Sequence, residues 1–273
     1  MRMVRGGTVI GLIAQLALLA GLTWSVGLGD PGWVVGITAG VVTNLVLAGG
    51  FARAGVEAFG PADWVTLTRA TLTGGVAALT ADSLVGSTSV PMLVALSSVA
   101  LMLDGVDGRV ARRTGTASPL GARFDMEVDA YLIAVLSVYV AALTGDWWVL
   151  TIGAARYLYV AAGWLLPWLR GSLPPRYWRK VVAATQGVAL TVAAADLLPG
   201  PVVVVALAAS LALLAESFGR DVCWLCRRRP SAAAGPALTA GLDPDRAPVG
   251  SSSASLGEAA AAEVTWAAAT SHS

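Results

Sequence analysis

The sequence predicts an all-α polytopic membrane protein, and three observations carry that reading. Of 273 residues, 56% are hydrophobic and 13% charged, where an ordinary soluble domain is about a quarter charged; the mean hydropathy is +0.71. Apolar stretches near the roughly 20 residues needed to cross a hydrocarbon core recur along the chain. Arginines and lysines fall in alternate connections between those stretches, as positive residues retained on one side of a membrane do.

The spans are expected at about 7–27, 31–51, 65–83, 89–110, 121–144, 147–169, 180–198 and 201–219. Turn residues mark breaks between them: Gly29-Asp30-Pro31-Gly32, Gly86-Ser87, Gly145-Asp146 and Pro199-Gly200-Pro201. The first run, Thr8 to Gly27, follows Arg2 and Arg5 as a signal peptide would. It is long enough to span, no small-x-small cleavage site stands out after it, and more spans follow, so it reads as a retained helix. In the second span, Gly36 and Gly40 permit a close helix contact.

Connections around Asp30, Asp82, Asp146 and Asp196 hold no Lys or Arg. The alternate ones carry Arg53, then Arg112 and Arg113, then Arg170, Arg176, Arg179 and Lys180. Both termini are therefore expected in the cytoplasm, in line with Arg2 and Arg5 at one end and Arg227-Arg228-Arg229 at the other. Beyond Pro230 the chain turns to Ala, Pro, Gly and Ser, and the stretch 230–273 is expected to be a disordered cytoplasmic tail.

The same composition excludes other classes. A net charge of +1 rules out a strongly basic nucleic-acid surface, which leaves membrane lipid as the partner. Cys223 and Cys226 form a single CxxC and His272 is the lone histidine, so the usual four zinc ligands cannot be assembled. The two thiols read as reduced and cytoplasmic.

The chemistry concentrates in one segment. Asp104 and Asp107 lie three apart, and Asp125 and Asp129 four apart, so on helices each pair shares a face. Both pairs sit at the cytoplasmic ends of their spans, and the stretch from Arg113 to Leu120, with Gly115 and Pro119, turns the chain between them. Four facing carboxylates at membrane depth would repel and resist ionisation. Bound Mg²⁺ or Mn²⁺ resolves that conflict, since hard cations take carboxylate oxygens and two of them can clamp a diphosphate. Gly108 and Ala111 share the face of the first pair, and Gly121 stands one turn before Asp125, leaving room for a bulky ligand.

These residues resemble the signature of the CDP-alcohol phosphotransferase family, DxxDGxxAR followed after about eight residues by GxxxDxxxD. Asp104, Asp107, Gly108, Ala111, Arg112, Gly121, Asp125 and Asp129 meet every fixed position. Pro61-Ala-Asp63-Trp-Val-Thr66-Leu-Thr-Arg69 is similar to the family's amphipathic lead-in to its first core helix, although Asn is commoner where Asp63 stands. Lys180 and Gln186 resemble a pair in its fifth core helix, and Arg156 resembles an arginine that binds the acceptor's phosphate in relatives with phosphorylated acceptors.

The resemblance implies a six-helix catalytic core at 55–229, with two extra N-terminal transmembrane helices at 1–54. It implies a homodimer in the plasma membrane whose active site opens to the cytoplasm. All four aspartates would surround two divalent ions, Mg²⁺ or Mn²⁺, with Asp129 also the general base. Gly108, Ala111, Arg112, Gly121 and Thr66 would line the nucleotide site, and Arg156, Arg123 and Lys180 would meet an acceptor phosphate. The implied reaction joins the phosphatidyl group of CDP-diacylglycerol to a polar alcohol such as glycerol 3-phosphate or inositol phosphate, releasing CMP. Two other classes fit a membrane protein rich in carboxylates: an inactive member kept as a scaffold, and an ion or proton pathway.

Overall fold

The structure, a computed structural model, describes residues 2–54, 60–86, 88–114, 119–171 and 177–227. Eight α-helices form among the described residues, one for each expected span, with no strand: α1 (Arg2–Val26), α2 (Asp30–Ala54), α3 (Pro61–Ser83), α4 (Val90–Thr114), α5 (Pro119–Thr144), α6 (Leu150–Leu165), α7 (Tyr177–Ala194) and α8 (Gly200–Arg227). The protein is thus an all-α polytopic membrane protein with two helices ahead of a six-helix core. The expected tail, 230–273, lies outside the described residues.

Proline places many of the helix starts. Pro31, Pro61, Pro91, Pro119 and Pro201 occupy the first or second position of α2, α3, α4, α5 and α8, where the missing N–H has no intrahelical partner to lose. At α3 the Asp63 carboxylate also accepts from the Gly60 N–H at 2.8 Å, half of a capping box. For these reasons α3 begins at Pro61, ahead of the expected 65.

Two expected spans are cut shorter. The stretch 147–169 divides into a 3₁₀ turn at Trp147–Val149, α6, and a second turn at Pro167–Arg170, because Pro167 cannot continue the ladder. Helix α7 stops at Ala194, just before Asp196 takes a left-handed φ of 53°.

Among the described residues, four stretches are long and apolar enough to cross a membrane on length and composition: Gly7–Val26, Asp30–Arg53, Leu120–Thr144 and Gly200–Arg227. Helix α3 is not among them because it carries Thr66, Thr68, Arg69, Thr71, Thr73 and Asp82. Those groups are tolerated because α3 is enclosed: it packs against α1, α2, α4 and α5, and Thr66, Arg69, Thr73, Thr80 and Asp82 are all buried. The hydroxyls of Thr66, Thr68, Thr71 and Thr73 donate back to carbonyls of the same helix, as Thr73 does to Arg69 at 2.9 Å.

The N-terminal pair is seated on α3 by close packing and by a charge. A Cβ on Gly36 would lie 2.5 Å from Leu19 Cδ2, and one on Gly40 would lie 2.7 Å from Gln15 Cγ, so both glycines permit the helix approach their spacing suggested. At the far end, Asp82 of α3 accepts from the N–H of Gly29 at 2.6 Å and of Gly32 at 2.7 Å. A carboxylate from another helix thereby caps donors at the start of α2 that have no partner within the helix, where the helix dipole also favours a negative charge.

Removing that cap leaves two amides unpaired in a partly buried place. Asp82→Ala is expected to lower stability by about 1–3 kcal/mol, read as a fall in the thermal unfolding midpoint of the detergent-solubilised protein. Asp82→Asn keeps one acceptor oxygen and is expected to lose less.

Candidate active site

The site is built by three helices. Asp125 and Asp129 are one turn apart on α5, and Asp104 faces them from α4. One carboxylate oxygen from each lies within 4.8 Å of the others, and all three groups are partly buried. Their side chains are 38%, 31% and 30% exposed for Asp104, Asp125 and Asp129, while Arg69 of α3 in their midst is 1% exposed.

Arg69 binds the three carboxylates together. Its Nη1 pairs with Asp104 Oδ1 at 3.2 Å and donates to Asp125 Oδ1, and its Nη2 donates to Asp129 Oδ1. Its Nε donates to the Ala100 carbonyl of α4 at 3.3 Å. The planar fork matches carboxylate oxygens that a point charge on Lys could not all reach. A buried arginine on α3 thus connects α4 and α5 and offsets part of the cluster's negative charge.

Asp107, Gly108, Ala111 and Arg112 lie on the backbone of α4, and their side chains fall outside the described part of the structure. Gly121 stands in the first turn of α5, one turn before Asp125 and partly buried. Thr66 is buried three residues before Arg69, and its hydroxyl donates to the Ala62 carbonyl at 3.2 Å.

The basic residues expected at the acceptor lie on α5, α6 and α7. Arg156 of α6 pairs through Nη2 with Glu127, and its buried Nε meets no hydrogen-bond partner. Glu127 is two residues from both Asp125 and Asp129, so it leaves α5 on nearly the opposite side. Arg123 on α5 and Lys180 on α7 are exposed. Gln186 has a packing role: its Nε2 donates to the Ser210 carbonyl at 2.8 Å and its Oε1 accepts from the Ser210 hydroxyl, tying α7 to α8.

A cavity of about 160 Å³ is lined by Trp178, Arg179, Ser217, Arg220 and Asp221, with none of the clustered aspartates. Its arginines are paired, Arg179 with Asp221 at 3.2 Å and Arg220 with Glu216 at 2.7 Å. The nearby Cys223 and Cys226 are exposed and free.

The residue that sequence reasoning undervalued is Arg69. A charge inside a span demands a partner, and that rule, applied to Arg156, applies equally to Arg69. Its partners come from two other helices, however, and their spacing from it in sequence, 56 and 60 residues for Asp125 and Asp129, carries no local signal.

The donor set suits a hard divalent ion. Oxygens on opposite sides of Mg²⁺ stand about 4 Å apart, so three carboxylate oxygens spread over at most 4.8 Å close on one ion with small side-chain shifts. Carboxylates without nitrogen or sulfur ligands favour Mg²⁺ or Mn²⁺ over softer metals.

The comparisons with known proteins point the same way. A 46-residue stretch, 16% of this chain, is 50% identical to Ethanolaminephosphotransferase 1 of Pongo abelii; the match covers 12% of that protein's length. No solved structure matches the chain. The profile of the CDP-alcohol phosphatidyltransferase family matches residues 60–215, more than half of the chain, from the start of α3 well into α8 and across all three helices of the carboxylate cluster. The chain belongs to the CDP-alcohol phosphatidyltransferase family, whose members are membrane transferases of substituted phosphate groups.

Proposed function

We propose that this enzyme moves the phosphatidyl group of CDP-diacylglycerol to the hydroxyl of a polar alcohol, releasing CMP in phospholipid biosynthesis. The observation that carries the reading is the convergence of Asp104, Asp125 and Asp129 from two helices onto one site within the stretch matched by the family profile. Membership implies a CDP-linked substrate, an alcohol acceptor and divalent metal; the lipid donor and the acceptor's identity belong to the proposal.

In this reading Asp104, Asp107, Asp125 and Asp129 hold two divalent ions, Mg²⁺ or Mn²⁺. Bound there, such ions supply a counter-charge for the diphosphate and for the charge that develops as the phosphoanhydride breaks. Gly108, Ala111, Arg112, Gly121 and Thr66 border the CDP group. Asp129 accepts the proton of the acceptor hydroxyl as its oxygen bonds to the lipid-side phosphorus. The bond from that phosphorus to the bridging oxygen breaks, and the electron pair leaves with CMP. A carboxylate is a weak base for an alcohol, and works because the proton moves as the new bond forms.

Basic residues on the same side of the membrane, Arg123, Arg156 and Lys180, favour an acceptor that carries a phosphate, glycerol 3-phosphate or inositol phosphate. To serve, Arg156 must exchange Glu127 for that phosphate. The alternation of positive residues supports cytoplasmic termini and a cytoplasmic site in the plasma membrane, and the family resemblance supports a homodimer. Residues 1–54 form an accessory pair beside a catalytic domain at 55–229, followed by a tail at 230–273.

Asp129→Asn is expected to abolish CMP release, a loss of at least about 100-fold, while CDP-diacylglycerol binding stays within a few fold of the parent. Retained turnover would remove Asp129 from the role of base. Purified protein with Mn²⁺ and CDP-diacylglycerol, offered serine, inositol phosphate, glycerol 3-phosphate or phosphatidylglycerol in turn, is expected to release CMP fastest with a phosphorylated acceptor. CDP-ethanolamine serves as a second donor, because the relative matched over 46 residues is named for ethanolamine phosphotransfer. Release with no donor and acceptor pair would favour a non-catalytic scaffold.

A further inference from the structure

The three carboxylates meet Arg69 and open water from different sides. Arg69 is 1% exposed and anchored through Nε to the Ala100 carbonyl, so its guanidinium approaches from inside the bundle. The carboxylates are about a third exposed, so their outer surfaces face the solvent from which an ion arrives. Arg69 meets Oδ1 of each of the three carboxylates.

Charge points the same way. Three ionised carboxylates less one guanidinium leave −2, the charge that one divalent ion neutralises. Arg69 therefore lowers the mutual repulsion without removing the attraction for a dication, and Asp107 with the substrate's diphosphate provides negative charge for a second ion. Groups that hydrogen-bond to metal-ligating carboxylates fix their orientation, and their loss costs metal affinity.

We propose that Arg69 is a positioning residue of the divalent-cation site, holding Asp104, Asp125 and Asp129 from the buried side so that the three carboxylates are set for the ion before it binds. The inference rests on the metal-dependent reading given above and adds a specific element to it. The guanidinium and the ion share the carboxylates from opposite faces. Arg69 touches neither substrate nor the reacting atoms in this role.

The test is a calorimetric titration of Mn²⁺ into detergent-solubilised, monodisperse full-length protein, comparing the parent with Arg69→Met and Arg69→Lys. Arg69→Met is expected to weaken Mn²⁺ binding by about 10- to 100-fold. Arg69→Lys keeps the charge but loses the fork, and is expected to fall between Arg69→Met and the parent. With activity read beside it, the Mn²⁺ concentration for half-maximal CMP release rises by a similar factor, and saturating Mn²⁺ restores most of kcat. A purely structural role would lower the yield of folded protein and leave the folded fraction's Mn²⁺ affinity unchanged, a result that overturns the proposal. Tighter Mn²⁺ binding in the variants would overturn it too, by making Arg69 a competitor of the ion. If Arg69→Met does not fold, Arg69→Lys decides alone: parental or tighter affinity contradicts the proposal. Absence of Mn²⁺ uptake by the parent itself would instead sink the metal-dependent reading on which this one stands.

Discussion

Mutual repulsion among the clustered carboxylates is the constraint around which this bundle is arranged. Two like charges at the 4.8 Å that bounds the cluster repel by roughly 3–4 kcal/mol at an effective dielectric constant of about 20. Three such pairs together approach the whole folding stability of a typical domain, about 5–15 kcal/mol. Water at the partly exposed oxygens screens some of this, yet enough remains to require a nearby cation. Arg69 meets that requirement from within, and it reaches three carboxylates because α3, α4 and α5 converge there.

Much of the rest follows from having to place α3. A helix that holds a buried arginine and a run of threonines cannot face lipid, so it is enclosed by α1, α2, α4 and α5. Its far end is anchored as firmly as its near end: Asp82 caps the glycine amides at the start of α2, while Gly36 lets α2 settle against Leu19 of α1 and Ala78 of α3. The two N-terminal helices thereby complete the shell around the helix that carries the counter-charge. That gives them a physical role in the fold, one that the signature segment alone does not disclose.

The parts of this arrangement that could be read in the sequence are the local ones. Eight apolar runs separated by Gly and Pro mark eight helices, because span length and helix-breaking residues act within a few positions. Asp125 and Asp129 share a face for the same reason, since a four-residue step is one helical turn. Pro167 lies inside an expected span and α6 ends just before it, because the missing N–H outweighs hydropathy there. Nonlocal pairings were not legible. Asp82 and Gly32 are 50 residues apart, and neither residue announces the other. Arg69 signals only that a partner must exist, and packing decides that the partners are Asp104, Asp125 and Asp129. Arg156, by contrast, finds Glu127, which no spacing rule singled out.

The account turns on one claim, that these carboxylates receive a divalent cation on the side opposite Arg69. Anomalous diffraction from crystals soaked in Mn²⁺ addresses it directly. The account predicts a manganese peak about 2 Å from oxygens of Asp104, Asp125 and Asp129, with the Arg69 guanidinium still bonded to the same carboxylates. A map with no manganese at the cluster, or with manganese in the place of a displaced Arg69, would contradict it.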